Sequence, residues 1–479
     1  MESCTAKMKT GLLLFDTKDR ALKEVAASNG SEVRIYCCGP TVYRDAHVGN
    51  LRTFLLGDLI TRTLNFTGTK TKLVQNITDV GHMGEDFEGA ETGEDKVLAQ
   101  SRAEAKDPFE IAREYERKFH EDLAQLNIHP ADSYPRASET IPLMLEIITQ
   151  LIKDDHAYLA QDGTVYFAAQ SFPSYGAISG NRLDALKPGH RHEHLDDGAK
   201  RFHADWALWK AAGARTEMVW PSPWGQGFPG WHIECSAMSL HFLNGHVDLH
   251  LGGIDLRFPH HENERAQSNA AAHDEVVDQW VHGEHLLFEG RKMSKSAGNV
   301  LLLKDVGQRG LDPLAARLCF LENRYRSQMD LTWDALAAAS TTLQRWRLKV
   351  NAISADSADE VLDLEKVADE VGLMVKDIQE DLDTPRALQK LRKVEKDPSL
   401  SSKTKAAIFI KIDEILGLAL ARAPIAQREL TSELADLIQS RAAARAAKDF
   451  GLSDVLRTKI RELGVEVKDT PSGQTWEWC

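Results

Sequence analysis

Hydrophobic and polar positions in the first part of the chain follow strand-like and helix-like patterns in turn. Residues 33–37 form a short β-rich run, and residues 51–64 carry apolar side chains at helical spacing. Residues 72–77 form a second strand-like run. The order strand–helix–strand is typical of a βαβ unit, so we predict an α/β fold with a Rossmann-type parallel sheet.

The pattern changes in the middle of the chain and then returns. Residues 86–224 begin acidic and glycine-rich and become helical near 108–126 and 141–153. Strand and helix patterns resume beyond this stretch. We therefore predict a catalytic domain in two halves, residues 1–85 and 225–311, interrupted by a connective insertion over residues 86–224.

The remainder of the chain is predicted to be mainly helical. Residues 312–428 are rich in Leu and Ala with helical periodicity, which predicts an all-α helical bundle. Residues 429–479 predict a small mixed α+β module. Its two helices, over 432–448 and 453–463, each begin at a serine that can act as N-cap, and a hairpin follows over 465–478.

Composition narrows the class of protein. The 479 residues correspond to about three domains, and 42% hydrophobic with 27% charged residues is typical of a globular chain. Neither a long apolar run nor a signal peptide is evident, so we expect a cytoplasmic protein without a membrane partner. The net charge of −14 argues against nucleic acid unless a local basic surface exists. Six irregularly spaced cysteines favour thiols or a metal site over disulfides.

A short polar segment, His47-Val48-Gly49-Asn50, lies at the predicted strand-to-helix turn. Free N–H groups at a helix N-terminus can hold a phosphate, and Gly49 allows a close approach of the backbone. His47 and Asn50 can donate hydrogen bonds to phosphate oxygens. A chance helix start explains a match of four residues equally well.

The segment Lys292-Met293-Ser294-Lys295-Ser296 places two lysines among small residues. Such a cationic loop can neutralise charge on a polyphosphate. The alternative interpretation is an exposed basic loop without a ligand. The match of all five residues, downstream of the histidine–glycine–asparagine turn, makes that alternative less favourable.

Together the two segments resemble the signature pair of the class I aminoacyl-tRNA synthetases, whose first motif usually ends in His where this chain has Asn50. The resemblance implies that ATP, with Mg2+, is attacked at its α-phosphate by an amino-acid carboxylate. It implies ATP contacts from His47, Gly49, Asn50, Lys292, Met293, Ser294, Lys295 and Ser296, with His47, Asn50, Lys292 and Lys295 in catalytic roles.

A possible metal site is spread over three segments. His260 and Glu264 are four residues apart and share one face of a predicted helix, whereas His261 points about 100° away. Cys38 and Cys235 could complete four ligands, a set that suits zinc. From spacing alone, buried structural cysteines are an equal alternative.

Residues 36–43, 231–236, 248–255 and 258–264 resemble the cysteinyl-tRNA synthetase family. The resemblance implies one zinc per subunit, bound by Cys38, Cys235, His260 and Glu264, and not by Cys37. It also implies a cysteine pocket lined by Gly39, Thr41, Thr78, Trp231, His250 and Asp255, with Asp255 facing the substrate ammonium. Zinc suits this task because it prefers a thiolate to the hydroxyl of serine, whereas shape alone discriminates by only about 10²-fold.

The C-terminal end provides the local basic feature. Between residues 441 and 468 seven Lys or Arg stand against four Asp or Glu, although a solvated helix face explains this nearly as well. The resemblance implies a monomer whose partners are L-cysteine, ATP and the tRNA for cysteine. It implies a stem-contact region before the bundle and anticodon contacts from Arg445 and Asp469, with Phe450 where the family often has Trp.

Three other functions share some of these features. A ligase that transfers cysteine to an amino-sugar precursor would lack the C-terminal module, and a cysteine sensor would lose the lysine loop. A structural zinc protein would need neither ATP segment. The histidine-rich segment 190–194 is interpreted as a solvated loop, and the role of Cys479 stays open.

Overall fold

The computed structural model describes residues 7–83, 95–186, 199–293, 298–352, 360–423, 431–463, 465–470 and 473–478. The predicted contacts Ser294, Lys295 and Ser296, the histidine-rich segment 190–194 and Cys479 lie outside these ranges.

A four-stranded parallel sheet forms the centre of the fold. Its strands are β3 (Glu32–Cys37), β4 (Lys70–Gln75), β10 (Val247–Gly253) and β11 (Val277–Gly283), in the order β11-β10-β3-β4. Ile35 of β3 lies opposite both Leu73 and Leu249, so the two halves of the sheet meet at β3 and β10. This confirms the predicted parallel sheet with a long insertion.

Three helices and a hairpin cover this sheet. They are α1 (Val48–Phe66), α5 (Trp231–Phe242) and α6 (His260–Ala272), together with the antiparallel strands β1 (Met8–Asp16) and β2 (Ala21–Ala27). Helix α1 follows β3 and is buried along most of its length, because it packs against the sheet on one side and against later helices on the other.

The insertion contains helices and a separate antiparallel sheet. Its helices are α2 (Lys96–Glu104), α3 (Pro108–Gln125) and α4 (Ile141–Lys153), of which the last two confirm the predicted helical stretches. The sheet has the order β5-β6-β7-β9-β8 and contains β5 (Ala157–Leu159), β6 (Val165–Phe167), β7 (Trp206–Ala211), β8 (Trp220–Ser222) and β9 (Gly225–Pro229). Its strand β9 lies just beyond residue 224, the predicted end of the insertion. The sequence did not predict this sheet, because strands of three to six residues give too short an alternation to recognise.

A small sheet and a group of helices follow the central sheet along the chain. The sheet consists of β12 (Leu286–Phe288), β13 (Arg291–Lys292) and β14 (Met329–Leu331). The described part of residues 312–428 therefore contains one short strand, β14, that the helical prediction missed. The helices are α7 (Leu303–Gln308), α8 (Leu314–Leu321), α9 (Trp333–Asn351), α10 (Leu364–Gln379), α11 (Thr384–Lys396) and α12 (Ser402–Leu416). The helices from α8 to α12 confirm the predicted bundle.

A buried arginine joins three parts of the chain. Arg317 of α8 donates hydrogen bonds to Asp58 of α1 at 2.6 Å, to the Leu416 carbonyl at 2.6 Å and to the Leu126 carbonyl at 2.9 Å. The side chains of Arg317 and Asp58 are both fully buried. The bundle is therefore fixed to the helix that carries the first signature segment.

The C-terminal module contains α13 (Ser432–Ala446), α14 (Phe450–Glu462) and the antiparallel pair β15 (Val465–Thr470) and β16 (Gly473–Trp478). The predicted elements are confirmed, but the predicted serine N-caps are wrong. Thr431 and Asp449 cap the two helices, since their side chains accept hydrogen bonds from the first turns. No described helix is long and apolar enough to cross a membrane. The domain boundaries given above stay predictions.

Candidate active site

The first signature segment forms the start of α1. Nδ1 of His47 accepts a hydrogen bond from the Asn50 N–H at 3.2 Å, and Oδ1 of Asn50 accepts one from the His47 N–H at 3.3 Å. Burial and the nearby Arg44 lower the pKa of His47 to about 4. The imidazole is therefore neutral near pH 7, with its proton on Nε2 and free to be donated to a phosphate.

The described residues of the lysine loop lie beside this helix start. A Cβ added to Gly49 would lie 2.9 Å from Cε of Met293, and the Val48 N–H donates to the Leu301 carbonyl at 3.0 Å. The Asn299 side chain donates to the Lys292 carbonyl at 3.1 Å, which ties the two ends of the loop together. The structure thus brings together the two segments that the sequence analysis paired, and Lys292 is exposed there.

Four predicted metal ligands converge in the core. The donor atoms of Cys38, Cys235, His260 and Glu264 all lie within 4.8 Å of one another, and all four residues are buried. Cys38 follows β3, Cys235 lies on α5, and the other two lie one turn apart on α6. Nε2 of His260 lies 2.8 Å from Oε1 of Glu264.

A second set of donors overlaps the first. Sγ of Cys38 lies 3.3 Å from Nε2 of His261 and 3.5 Å from Nε2 of His250, and these three residues with Glu264 also form a possible metal-binding group. The sequence analysis set His261 aside because of its direction on the helix. The end of β10 faces that side of α6 closely, since a Cβ at Gly252 would lie 2.5 Å from the His261 ring. A helical wheel cannot show what lies opposite a helix.

The electrostatics of this cluster fit a cation. Burial raises the pKa of the Cys38 thiol and of the Glu264 carboxyl well above their usual values and lowers the pKa of His260 well below its usual value. Oε2 of Glu264 lies 3.3 Å from Nε2 of His250 but accepts no well-aligned hydrogen bond from the residues that the structure describes. Two thiols, an imidazole and a buried carboxylate are a ligand set that zinc prefers.

Three of the residues predicted to line the cysteine pocket lie at the carboxyl ends of β3 and β4. A Cβ at Gly39 would lie 1.7 Å from the Asn76 carbonyl oxygen, so only glycine fits there. Thr41 pairs with Thr78 in a parallel bridge, and the Asn76 side chain donates to Oγ1 of Thr78 at 3.0 Å. This is the edge of the sheet at which ligands bind in open α/β folds.

The other three lie around the metal-ligand cluster and at the end of β10. Trp231 stacks on both His260 and His82. His250 is buried against Trp280, whereas Asp255 is exposed just beyond β10. Sequence reasoning missed His82, which follows a glycine in a loop and belongs to no recognisable spacing.

The two predicted tRNA contacts lie together in the C-terminal module. Nε of Arg445 lies 3.1 Å from Oδ1 of Asp469, and Phe450, whose ring centroid is 6.0 Å from the Arg445 guanidinium, is 58% exposed. Arg441, which the sequence analysis did not single out, is buried and binds both oxygens of Asp469 at 2.9 Å. Its hydrogen bonds lower the pKa of Asp469.

Comparison with known families and proteins identifies similar chains. Residues 24–341 match the catalytic domain of the class I (C) tRNA synthetases, and residues 427–476 match the cysteinyl-tRNA ligase anticodon binding domain. The chain is 40% identical to a cysteine–tRNA ligase of Thermus thermophilus, over 97% of this chain and 99% of the relative. It is 34% identical to one of Treponema denticola, with the same coverage.

Solved structures of other synthetases share the fold. The methionyl-tRNA synthetase of Mycobacterium tuberculosis in complex with methionyl-adenylate matches with a TM-score of 0.55 and 14% identity, over 81% of this chain and 90% of that chain. A putative arginyl-tRNA synthetase of Campylobacter jejuni matches with a TM-score of 0.52 and 13% identity, over 83% of this chain and 94% of that chain. At such identities the likeness concerns the fold alone.

Proposed function

Because the chain belongs to the cysteine–tRNA ligases, a family of class I aminoacyl-tRNA synthetases, we propose that it activates L-cysteine with ATP and transfers it to its tRNA, using zinc to select the thiol. The convergence of four buried donors, Cys38, Cys235, His260 and Glu264, supports this proposal most directly. The remaining steps are carried by the residues around them.

The four donors would hold the zinc ion. When bound, zinc would lower the pKa of the substrate thiol and bind its thiolate, for which a serine hydroxyl is a poor substitute. The protein contributes four buried donor atoms that lie close together. Burial raises the free-energy cost of leaving these groups without a cation. His250 and His261 lie against the same cluster and limit its free space.

The pocket residues orient the rest of the amino acid. Asp255, exposed beyond β10, is proposed to pair with the substrate ammonium. Thr41 and Thr78 would offer hydroxyl groups at the ends of the two neighbouring strands, and Trp231 would form an apolar wall. A side chain at Gly39 would clash with the Asn76 carbonyl, so glycine allows the segments after β3 and β4 to lie this close together.

ATP would lie over the start of α1. The cysteine carboxylate attacks the α-phosphate, which forms cysteinyl-adenylate and releases diphosphate, with Mg2+ bound to the nucleotide. The described groups that can stabilise the phosphates are Asn50, the exposed Lys292 and His47, which is neutral with its proton on Nε2. Lys295 is proposed to act with them. A hydroxyl group at the 3′ end of the tRNA then attacks the adenylate carbonyl, which forms the cysteinyl ester and releases AMP as the acyl–phosphate bond breaks.

The tRNA would contact the C-terminal module as well as the active site. The C-terminal match supports anticodon binding by this module, with Arg445 and Asp469 as proposed base contacts and Phe450 as an exposed ring for stacking.

We also propose that the chain divides into four parts: residues 1–85 with 225–311, residues 86–224, residues 312–428 and residues 429–479. We propose that the protein is a monomer.

The first experiment is cysteine-dependent exchange of pyrophosphate into ATP. It is run with cysteine and with serine, on zinc-loaded protein and on protein treated with a chelator. Exchange with cysteine alone, lost on chelation and restored by zinc, is expected. A folded, zinc-loaded protein that exchanges nothing with cysteine would leave a cysteine sensor as the better account.

A further inference from the structure

The first helix of the insertion is fixed beside the cysteine pocket. Asp95 caps α2, since its Oδ1 accepts from the Val97 N–H at 2.9 Å, and its Oδ2 accepts from the Gly81 N–H at 2.9 Å. Arg215 holds the same carboxylate at 3.2 Å. Lys96, the first residue of α2, is therefore held against the segment that precedes the insertion.

Lys96 contacts one residue of that segment twice. Its backbone N–H donates to the His82 carbonyl at 3.1 Å, and its Nζ lies 2.7 Å from Nε2 of His82. A cation in the first turn of a helix opposes the helix dipole. Helix stability therefore does not explain a lysine here. Its Nζ lies instead against His82 and 5.9 Å from the centroid of the Tyr43 ring.

His82 connects Lys96 to the pocket. Its Nδ1 lies 2.5 Å from Oγ1 of Thr41, and its ring is parallel to Trp231, with centroids 4.0 Å apart and 9° between the planes. An ammonium can only donate, so Nε2 of His82 accepts from Lys96 and the ring proton must lie on Nδ1. The Nδ1–H group of His82 therefore donates a hydrogen bond to Oγ1 of Thr41. The hydroxyl proton of Thr41 can then be donated to another acceptor.

We propose that Lys96 is a positioning residue of the cysteine pocket: its ammonium fixes the tautomer of His82, and His82 thereby directs the Thr41 hydroxyl proton towards the bound amino acid. The proposal rests on the proposed function, because it takes Thr41 to contact cysteine. Without Lys96, His82 can carry its proton on Nε2 and accept from Thr41, which removes the donor from the pocket.

Two further observations support this order of hydrogen bonds. Burial and nearby positive groups, with Lys96 first among them, lower the pKa of His82 well below its usual value, so the ring is neutral and has one proton to place. His82 and Trp231 stack in parallel, which holds the ring in the plane that both hydrogen bonds need.

The test is a double-mutant cycle on Lys96 and Thr41 in the full-length, zinc-loaded protein, read by pyrophosphate exchange. Lys96→Met and Thr41→Val are each expected to raise KM for cysteine about tenfold, with KM for ATP unchanged. The double variant is expected to resemble either single variant, because both remove the same donated proton. Lys96→Arg, which keeps a donor, should restore most of the loss.

Lys106→Met is the matched control, since Lys106 is an exposed lysine of the same insertion that pairs with Glu104 and Glu114. If Lys96→Met does not fold, Lys96→Ala, which also removes the donor, tests the same contact with the same expected result. The proposed role of Lys96 would be overturned by any of three results: increases in KM for cysteine that multiply in the double variant, a raised KM for ATP only, or unchanged kinetics. Exchange by the wild-type protein tests the proposed function separately.

Discussion

The indole of Trp231 stacks on the imidazole of His260, with their ring centroids 4.1 Å apart. The same imidazole lies 2.8 Å from Glu264 through Nε2 and 2.8 Å from His232 through Nδ1. A wall of the proposed cysteine pocket therefore packs directly on a proposed metal ligand. Changes in the pocket and in the metal site should affect each other.

Trp231→Ala should raise KM for cysteine by about fivefold or more, since aromatic stacking contributes about 0.5–1.5 kcal/mol beyond burial. It should also speed the loss of zinc to a chelator, because His260 loses its support. Trp231→Phe, which keeps a stacking ring, is the control. A normal KM and normal zinc retention in the alanine variant would contradict the coupling.

Cys38→Ser, Cys235→Ser, His260→Ala and Glu264→Gln should each lower zinc content and reduce cysteine-dependent exchange by about 10²-fold or more, because even outer partners of metal ligands contribute 10- to 100-fold. Zinc is measured by atomic emission on the purified variants. Cys37→Ser is the matched control. Cys37 is the adjacent buried thiol, and its Sγ lies 3.8 Å from the Gln75 side chain. Loss of zinc in that variant would count against the proposed set.

Lys295→Ala should slow adenylate formation by about 10²–10³-fold and leave cysteine binding nearly unchanged, because the lysine is proposed to stabilise charge that develops during the reaction. Exchange rates are compared with calorimetric binding of cysteine. Lys411→Ala, which removes a surface lysine paired with Glu414 in the bundle, should change neither. Normal exchange in Lys295→Ala would show that our role for the loop is wrong.

Arg441→Met should impair tRNA charging without affecting pyrophosphate exchange. The substitution removes the hydrogen bonds that hold Asp469 and Gln474 in the terminal hairpin. We expect KM for tRNA to rise about tenfold, since hydrogen bonds to charged groups contribute about 1.5–3 kcal/mol. Arg182→Met, at an exposed arginine of the insertion, is the control. Unchanged charging by the Arg441 variant would remove the hairpin from the proposed contact surface.

His47 should titrate with a midpoint near pH 4, as its lowered pKa of about 4 implies. The folded pKa lies below the value of about 6.5 expected in the unfolded chain. This group therefore stabilises the fold above pH ~6.5, and that contribution is lost as the pH falls towards 4. NMR of histidine-labelled protein, with His47→Asn for assignment, measures the midpoint. A midpoint near 6.5 would show that the ring is not desolvated.

The strongest sequence patterns gave the correct elements. Residues 33–37 and 51–64 predicted β3 and α1, and the spacing of His260 and Glu264 predicted a shared face of α6. These are local periodicities, which depend on the chain itself. The four-donor set rested on the family resemblance, since spacing cannot show which distant cysteine reaches a helix.

The parts that were missed depend on contacts between distant segments. His261 reaches Cys38 because β10 ends against α6, and Arg441 reaches Asp469 because the terminal hairpin packs on α13. Lys96 meets His82 through a backbone hydrogen bond between the start of the insertion and the segment before it. Each of these requires a tertiary approach that no hydrophobic pattern encodes.

The central sheet also has a consequence for synthesis of the chain. Strand β3 lies between β4 and β10, and β10 ends at Gly253. At about 5–20 residues per second, β10 is completed on the order of 10–40 s after β3 has been made. Throughout that interval β3, whose residues are mostly buried in the folded protein, lacks its partner strand β10 on one side. The nascent chain therefore exposes an unpaired strand edge outside the ribosome. Chaperones that cover such edges should bind it before residue 253 emerges.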